Sequence, residues 1–384
     1  MSSTDERAEL RDAVARLLAD QGPAATVAVV VESPDGYDRA LWRQLAEYGF
    51  LGLLVPEDLG GSGGQLADVA VLAEEAGRVL LPGPYVSSAV TATTAAVRAV
   101  RGGPGAARRR GTELIERLSG GAQTAVLIDA RGATCGLTVT GDPQHGYEVS
   151  GTAETVVGAD GAGTVLIGAG SGAGTALLVV PADSAQLMPV RLADSTRRAA
   201  AVRFDRTEVP ASDVLASGED AVSALRQARL NECAALAADS AGGARGALDL
   251  ATGYAKTRVQ FGRPIGSFQA IKHKLANMYI AVEAAAAIAE HAAAVLDTES
   301  DKLRRDQVVT AAGSFCTASY RSVAGDSIQA HGGIGFTWEH LCHRYLKRAW
   351  LNEALLGGQR ALSARFAAGL IDHEIGAAPV GQTA

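Results

Sequence analysis

Apolar residues follow a helical spacing in the first part of this chain, residues 1–120 of 384. The clearest case is Leu66–Val79, in which an i, i+3, i+4, i+7 pattern places four apolar residues on one face: Val69, Leu72, Ala73 and Ala76. Glu6–Asp20 and Ala40–Tyr48 have the same amphipathic character. The pattern predicts a small all-helical domain at the start of the chain.

The spacing changes in residues 121–217, where short runs of β-prone residues alternate with Gly, Asp and Pro. The runs that stand out are Thr124–Ile128, Gly146–Val149, Thr164–Ile167, Ala176–Val180 and Ala201–Phe204. They predict a compact β domain, either a barrel or a sandwich. The glycine-rich stretch Gly168–Gly174 leads into another strand-like run, so we interpret it as a hairpin loop and not as a dinucleotide-binding turn.

Helical spacing returns in residues 218–384, in long segments rich in alanine. The predicted helices are Leu225–Thr257, Phe268–Asp297, Leu303–His331 and Glu339–Leu370. Antiparallel helices with apolar stripes pack together as a bundle. The chain is therefore predicted to be mostly α-helical with a central β domain, and its last part is predicted to be a four-helix bundle.

Composition and charge narrow the classes of function. The net charge is −7, and the one dense basic cluster, Arg108–Arg110, lies in Gly102–Gly111, a stretch with the composition of a loop; neither feature favours nucleic-acid binding. The N-terminal residues are polar and acidic, and no apolar run approaches the roughly 20 residues needed to cross a bilayer. The four cysteines show no CxxC pair and no metal-ligand spacing. We expect a cytoplasmic protein without membrane insertion and without a metal site.

Two segments near the C-terminus carry the most specific signal. Arg258–Lys272 reads RVQFGRPIGSFQAIK, and Gln329–Glu339 reads QAHGGIGFTWE. Both closely resemble the flavin-binding segments of acyl-CoA dehydrogenases, and the composition of the chain is similar to that of actinobacterial members. Other stretches that are similar to the family are Leu45–Glu57, Gly60–Gly63, Val202–Pro210 and Gly242–Tyr254. The resemblance implies the fold of that family, with an N-terminal helical domain, a middle β domain and a C-terminal four-helix bundle.

The resemblance also implies FAD as the cofactor. Arg258 offers planar, permanently charged donors to a diphosphate, and a pair of glycines lets backbone amides approach it without a Cβ in the way. In the family, residues of the first segment reach the flavin of a neighbouring subunit, so the implied protein is an oligomer with shared sites. The cofactor-binding residues implied in this way are Arg258, Phe261, Gln269, Gln329, Gly332 and Gly333.

The chain departs from the family in the β domain. Most members offer the flavin ring a Trp and a hydroxyl residue on one strand, whereas Thr155 and Val157 fall at the corresponding positions here. The acidic, Gly/Ser-rich turn that usually precedes this strand is reduced to Asp129–Thr134. Flavin binding is therefore a weaker expectation than the fold.

The position of the catalytic base is a second departure. An acyl-CoA dehydrogenase needs a carboxylate to remove the α-proton of its substrate, and the usual position of that carboxylate is occupied here by Leu356. Some members carry the base on the first long helix of the bundle, and the corresponding residue is Glu232. Glu232 is our candidate base, while the alternative is that it is a solvent-facing helical residue near Arg229. Glu353 and Asp239 are weaker candidates.

Two main hypotheses of function follow from the resemblance. In the first, the chain dehydrogenates an acyl-CoA or another acyl thioester, with proton removal by Glu232, hydride transfer to FAD and an electron-transfer flavoprotein as electron acceptor. In the second, it is a non-catalytic or half-site subunit that pairs with a homologous chain in a heteromer. Other flavin chemistry, such as oxygenation, stays open as a third.

Overall fold

The computed structural model describes residues 4–19, 23–102, 105–131, 135–172, 174–338 and 340–377. Its α-helices are α1 (Thr4–Ala19), α2 (Pro23–Val31), α3 (Arg39–Glu47), α4 (Leu66–Arg78), α5 (Thr93–Gly102), α6 (Gly105–Ser119), α7 (Gly218–Thr257), α8 (Gln269–Thr298), α9 (Lys302–His331), α10 (Cys342–Leu355) and α11 (Gly358–Ala377). A π-helical segment, Tyr85–Ala92, precedes α5.

Most strands lie between α6 and α7, as the sequence predicts. They are β1 (Ala125–Asp129), β2 (Leu137–Asp142), β3 (Gly146–Val157), β4 (Thr164–Ser171), β5 (Gly174–Pro181), β6 (Gln186–Val190), β7 (Ala199–Val209) and β8 (Val214–Ser217). A short hairpin of β9 (Val259–Gln260) and β10 (Arg263–Pro264) follows α7. The predicted fold class, mostly helical around a central β region, is confirmed, while the boundaries predicted at residues 120 and 217 stay predictions.

The chain divides into two compact units. The first contains residues 1–9, 21–69 and 81–232, and the second contains residues 10–20, 70–80 and 233–384. The division falls within α7, so Glu232 belongs to the first unit and Cys233 to the second.

Two four-stranded sheets form the β region of the first unit. One has the strand order β1-β4-β5-β8, with β1 parallel to β4 and the other pairs antiparallel, and the second has the antiparallel order β2-β3-β7-β6. Side chains alternate between the two faces of a strand, so Val165 and Ile167 of β4 join the core shared by both sheets, whereas Leu166 faces a second core. That second core contains residues of α5, α6 and the start of α7. The β region is thus a sandwich with helices packed on one of its sheets.

The basic cluster Arg108–Arg110 lies on a helix, and the loop predicted over Gly102–Gly111 was wrong for residues 105–111. Helix α6 forms because Ala and Arg favour helix and because Leu114, Ile115 and Leu118 bury one of its faces. Arg110 Nε lies 3.2 Å from Asp213 Oδ1. At least one charge of the cluster is therefore used within the first unit.

The second unit is built from α8 to α11, the part of α7 from Cys233 onward, and the segments 10–20 and 70–80. Its core contains Ala244, Ala247 and Leu248 of α7, Met278 and Val282 of α8, Tyr320 of α9, and Tyr345 of α10, all buried. The fourth predicted bundle helix, Glu339–Leu370, is two helices in the structure, and Glu339 itself lies outside the described residues. Gly357 and Gly358, with φ of +91° and +81°, separate α10 from α11, because this left-handed conformation cannot continue a helix.

Helix α8 is the one helix among the described residues that is long and apolar enough to cross a membrane by length and composition. It packs against α9 in the second unit and contributes Met278 and Val282 to the core there. Core helices of bundles often have such a composition, so we keep the prediction that the chain is not inserted in a membrane.

Candidate active site

Glu232 is a half-buried residue of α7. Burial raises the pKa of its carboxyl group, while the positive charges of Arg229 and Arg197 act in the opposite direction. Arg229 is exposed to solvent, whereas Arg197 is 8% exposed. A carboxylate that is partly removed from water and has a raised pKa is suited to act as a general base near neutral pH.

A buried polar network lies directly beside Glu232. Asn231, 6% exposed, donates a hydrogen bond of 3.0 Å to Thr94 Oγ1 and accepts one of 2.7 Å from Gln227 Nε2. Thr94 is the second residue of α5, and α5 directly follows the π-helical segment Tyr85–Ala92. Within α-helices, π-helical turns are frequent at functional sites. Sequence reasoning missed this network, because 137 residues separate Asn231 from Thr94.

Leu356, which the resemblance aligns with the family's usual base position, is an apolar core residue. It is 3% exposed, and a Cβ added to Gly313 of α9 would lie 3.0 Å from its Cδ1 atom. Its carbonyl oxygen accepts a hydrogen bond of 2.5 Å from Arg365 Nη2. The side chain cannot accept a proton, so catalysis by this chain needs a base elsewhere.

Both weaker candidate bases lie beside arginines in the second unit. Asp239, 2% exposed, has both carboxylate oxygens 3.3 Å from Nη1 of the buried Arg348. Glu353 Oε2 lies 3.5 Å from Arg321 Nη1. Both carboxylates are engaged in ion pairs within the second unit, so this geometry does not favour either residue as the base.

Arg258 introduces an exposed hairpin. Its backbone N–H donates to Tyr254 O at the end of α7, and its carbonyl accepts from Ile265 N, which holds β9 and β10 together. Phe261 and Gly262 form the turn, both with positive φ, and Phe261 is 93% exposed. The side chains of Arg258 and Gln269 are also exposed. These groups are therefore accessible to a ligand or to another chain.

The second flavin-like segment forms a turn at the end of α9. Gly332 has a φ of +65°, and a Cβ at Gly332 or Gly333 would meet no atom within 4 Å, so the backbone is open to a ligand on this side. Gln329 is exposed. The structure joins this turn to the end of α7, because the ring of Tyr254 stacks on the ring of His331 with 4.4 Å between centroids.

Strand β3 carries Thr155 and Val157, and its pairing is irregular at Thr155. The pairing of β3 with β7 shifts register between Ala153 and Val156, and Thr155 lies in this bulge with an exposed side chain. Bulges often redirect side chains beside active sites. Of the reduced segment Asp129–Thr134, residues 132–134 lie outside the described part of the chain.

The comparison with known families identifies the fold described above. The acyl-CoA dehydrogenase N-terminal domain matches residues 4–110, and the acyl-CoA dehydrogenase C-terminal domain matches residues 221–369. The chain belongs to the acyl-CoA dehydrogenase family. Members of this family are flavin oxidoreductases, so the prediction of an enzyme of this type is confirmed.

Individual relatives of this acyl-CoA dehydrogenase homologue cover almost its whole length. It is 34% identical over 370 residues to acyl-CoA dehydrogenase IpdE2 of Mycobacterium tuberculosis, covering 95% of this chain and 98% of that protein. Among solved structures it is similar to the Tcur3481–Tcur3483 steroid ACAD, with a TM-score of 0.84 and 27% identity over 97% of this chain and 99% of that one. It is also similar to the ChsE4–ChsE5 complex of Mycobacterium tuberculosis, with a TM-score of 0.85 and 25% identity over 98% of this chain and 99% of that one.

Arg258, Gly332 and Gly333 of the second unit offer hydrogen-bond donors of the kind that bind a diphosphate such as that of FAD. An exposed guanidinium at Arg258 and an open glycine turn at Gly332 and Gly333 are the donors that such a group requires. The β region fits the flavin ring less well, since neither Thr155 nor Val157 provides an aromatic surface.

Proposed function

We propose that this chain catalyses the FAD-dependent α,β-dehydrogenation of an acyl-CoA, or of a similar acyl thioester, with Glu232 as the base. Family membership supports the class of reaction. The assignment of Glu232 as the base rests on its half-buried carboxyl group, whose pKa is raised by burial. Glu232 combines partial burial with a raised pKa, whereas Asp239 and Glu353 form ion pairs with arginines.

Glu232 removes the α-proton of the substrate and becomes protonated at one carboxylate oxygen. A bound FAD would supply the hydride acceptor for this reaction, and loss of the α-proton and the β-hydride leaves a Cα=Cβ double bond. Negative charge develops on the thioester oxygen during proton removal, and hydrogen-bond donors stabilise it.

Arg258, Gly332 and Gly333 would hold the FAD diphosphate, and Phe261, Gln269 and Gln329 would contact the remaining parts of the cofactor. The exposure of Arg258, Phe261 and Gln269 supports a contribution of the hairpin to the FAD of a neighbouring subunit in an oligomer. We also propose an electron-transfer flavoprotein as electron acceptor, a role in lipid metabolism and a cytoplasmic location.

The proposed reaction is tested by purifying the chain alone and recording its visible spectrum, first without substrate and then during anaerobic addition of acyl-CoAs. A useful panel contains butyryl-CoA, isobutyryl-CoA, glutaryl-CoA and a steroid side-chain acyl-CoA. We expect about one flavin per chain, bleached by at least one member of the panel. A flavin-loaded protein that no acyl-CoA reduces would contradict the proposal.

A second candidate function is a half-site subunit of a heteromer, and Leu356 favours it, because a buried apolar side chain occupies the usual base position. Two of the similar structures are described as the ChsE4–ChsE5 complex and the Tcur3481–Tcur3483 enzyme, each named for two chains. Co-expression with a homologous chain that carries a glutamate at the usual position tests this alternative. A stable mixed oligomer, combined with a flavin-free protein when this chain is expressed alone, would favour it.

A further inference from the structure

A cluster of three side chains with metal-binding donors lies between the end of α9 and the start of α10, in the second unit. The ligand atoms of His331, His340 and Cys342 all lie within 4.8 Å of one another. Cys342 Sγ is 3.2 Å from His331 Nδ1 and 3.1 Å from His340 Nδ1. His331 and Cys342 are buried, and His340 is half-buried.

The distance between Cys342 Sγ and His340 Nδ1 is close to a donor–donor distance of a tetrahedral zinc site. Zn–N bonds of about 2.0–2.1 Å and Zn–S bonds of about 2.3 Å place neighbouring donor atoms roughly 3.3–3.6 Å apart. The distance of 3.1 Å from Cys342 Sγ to His340 Nδ1 is shorter than this by a few tenths of an ångström, so an ion between the donors requires side-chain shifts.

His331 has the hydrogen bonding of a histidine that is ready to bind a metal. Its Nδ1 lies 2.7 Å from Ser327 O, and stacking on Tyr254 limits rotation of the ring. With the proton on Nδ1, Nε2 carries a lone pair, and this atom is buried without a hydrogen-bond partner among the described residues. Metal-binding histidines commonly donate their second ring N–H to a backbone carbonyl in this way.

The sequence did not reveal this site. His340 and Cys342 are two residues apart and lack the spacing of a usual zinc motif, so the sequence predicts no metal. The fold supplies the third donor, because the turn after α9 returns the chain to His331.

We propose that His331, His340 and Cys342 bind one Zn²⁺ ion, with water as the fourth ligand. Cys342 binds as the thiolate, and its proton is released to solvent when the ion enters. Two imidazoles and one thiolate suit a borderline-soft divalent ion and do not suit Mg²⁺ or Ca²⁺, which prefer oxygen donors. The ion ties the end of α9 to the start of α10 and closes the turn that contains Gly332 and Gly333.

Zinc content measured by mass spectrometry on the untagged full chain, after dialysis against Zn²⁺ and then metal-free buffer, tests the proposal. We expect one zinc per chain in the wild type. Cys342→Ser and His340→Asn should each weaken zinc binding by more than about 100-fold, beyond the loss that removal of an outer-sphere partner causes. Cys135→Ser and His291→Asn are matched controls that should retain the zinc, since Cys135 is a half-buried thiol and His291 an exposed histidine, both outside the cluster.

Cobalt replaces zinc as a spectroscopic probe in the same samples. A thiolate-to-cobalt charge-transfer band should appear in the wild type and in both controls and should be absent from Cys342→Ser. If Cys342→Ser does not fold, as judged by circular dichroism, His340→Asn decides, because its half-buried position tolerates substitution better. A wild type without stoichiometric zinc, or zinc that survives both cluster substitutions, would overturn the proposal. Neither outcome bears on the flavin reaction, which has its own test.

Discussion

Tyr254 stacks on His331, with their ring centroids 4.4 Å apart and an angle of 25° between the ring planes. Tyr254 lies one helical turn before Arg258, and His331 directly precedes Gly332, so this contact joins the two flavin-like segments of the second unit. An aromatic contact of this kind contributes about 0.5–1.5 kcal/mol beyond simple burial.

Replacing Tyr254 should therefore loosen both segments together. We expect Tyr254→Leu to lower the free energy of unfolding by about 1 kcal/mol and to reduce the flavin retained per chain after gel filtration. Tyr254→Phe keeps the ring and should retain both properties. Urea unfolding and visible absorbance measure the two effects, and equal flavin retention in both variants would show that the contact does not support the cofactor site.

The pH dependence of flavin reduction should follow the ionisation of Glu232. Burial raises the pKa of this carboxyl group above its ordinary value of 4.5, so its protonated form persists to higher pH. Because only the deprotonated form accepts the α-proton, the rate of flavin reduction should fall as the pH decreases through this raised pKa. Stopped-flow rates across a pH series measure it, and a rate that is flat down to pH 4.5 would argue against a buried carboxylate base.

The same shift has a consequence for stability. A group whose pKa is raised by folding stabilises the folded state below its unfolded pKa, and that contribution is lost as the pH rises through the folded pKa. Glu232→Gln should therefore unfold at an equal or higher temperature than the wild type at pH 7, and the difference should shrink under acidic conditions. A variant that is clearly less stable at pH 7 would indicate that the carboxylate has a structural role.

Two glycines of α9 should respond to alanine in opposite directions. A Cβ at Gly313 would lie 2.7 Å from Cys233 Sγ and 3.0 Å from Leu356 Cδ1, whereas a Cβ at Gly325 would meet no atom within 4 Å. We expect Gly313→Ala to cost about 1–3 kcal/mol through overpacking and Gly325→Ala to gain about 0.5–1 kcal/mol as a better helix former. Denaturant unfolding of both variants measures the difference, and a neutral Gly313→Ala would show that Leu356 is less tightly packed than the structure indicates.

Removing one partner of the buried ion pair Asp239–Arg348 should lower the free energy of unfolding strongly. Asn352 Nδ2 also lies 3.3 Å from Asp239 Oδ1, so the carboxylate is part of a network in the second unit. Arg348→Met leaves this buried carboxylate without its guanidinium and should cost about 3–5 kcal/mol. The double variant Asp239→Leu with Arg348→Met should recover much of the loss, and additive losses in urea unfolding would contradict a direct ion-pair interaction.

Residue periodicity was sufficient to predict the order of helical and β regions, because runs such as Leu66–Val79 bury one face over several turns. It failed where backbone conformation decides the structure. Apolar spacing continues on both sides of Gly357 and Gly358, so the sequence predicted one helix where the structure has two, α10 and α11. In residues 105–111, a high content of Gly and Arg concealed a helix that tertiary burial stabilises.

The candidate site was only partly accessible from the sequence. Arg258, Gly332 and Gly333 were found through their resemblance to a family, which requires no knowledge of three-dimensional contacts. The bonding of Asn231 to Thr94 and the meeting of His331 with Cys342 depend on how distant parts of the chain fold together. No local pattern marks such contacts in a single sequence.

The most direct test of Glu232 as the catalytic base is the anaerobic rate of flavin reduction by an acyl-CoA substrate in Glu232→Gln. We expect a rate about 10²–10⁴-fold below that of the wild type, with flavin content unchanged and with Glu353→Gln close to wild type. A Glu232→Gln protein that binds flavin and reduces it at the wild-type rate would contradict the assignment.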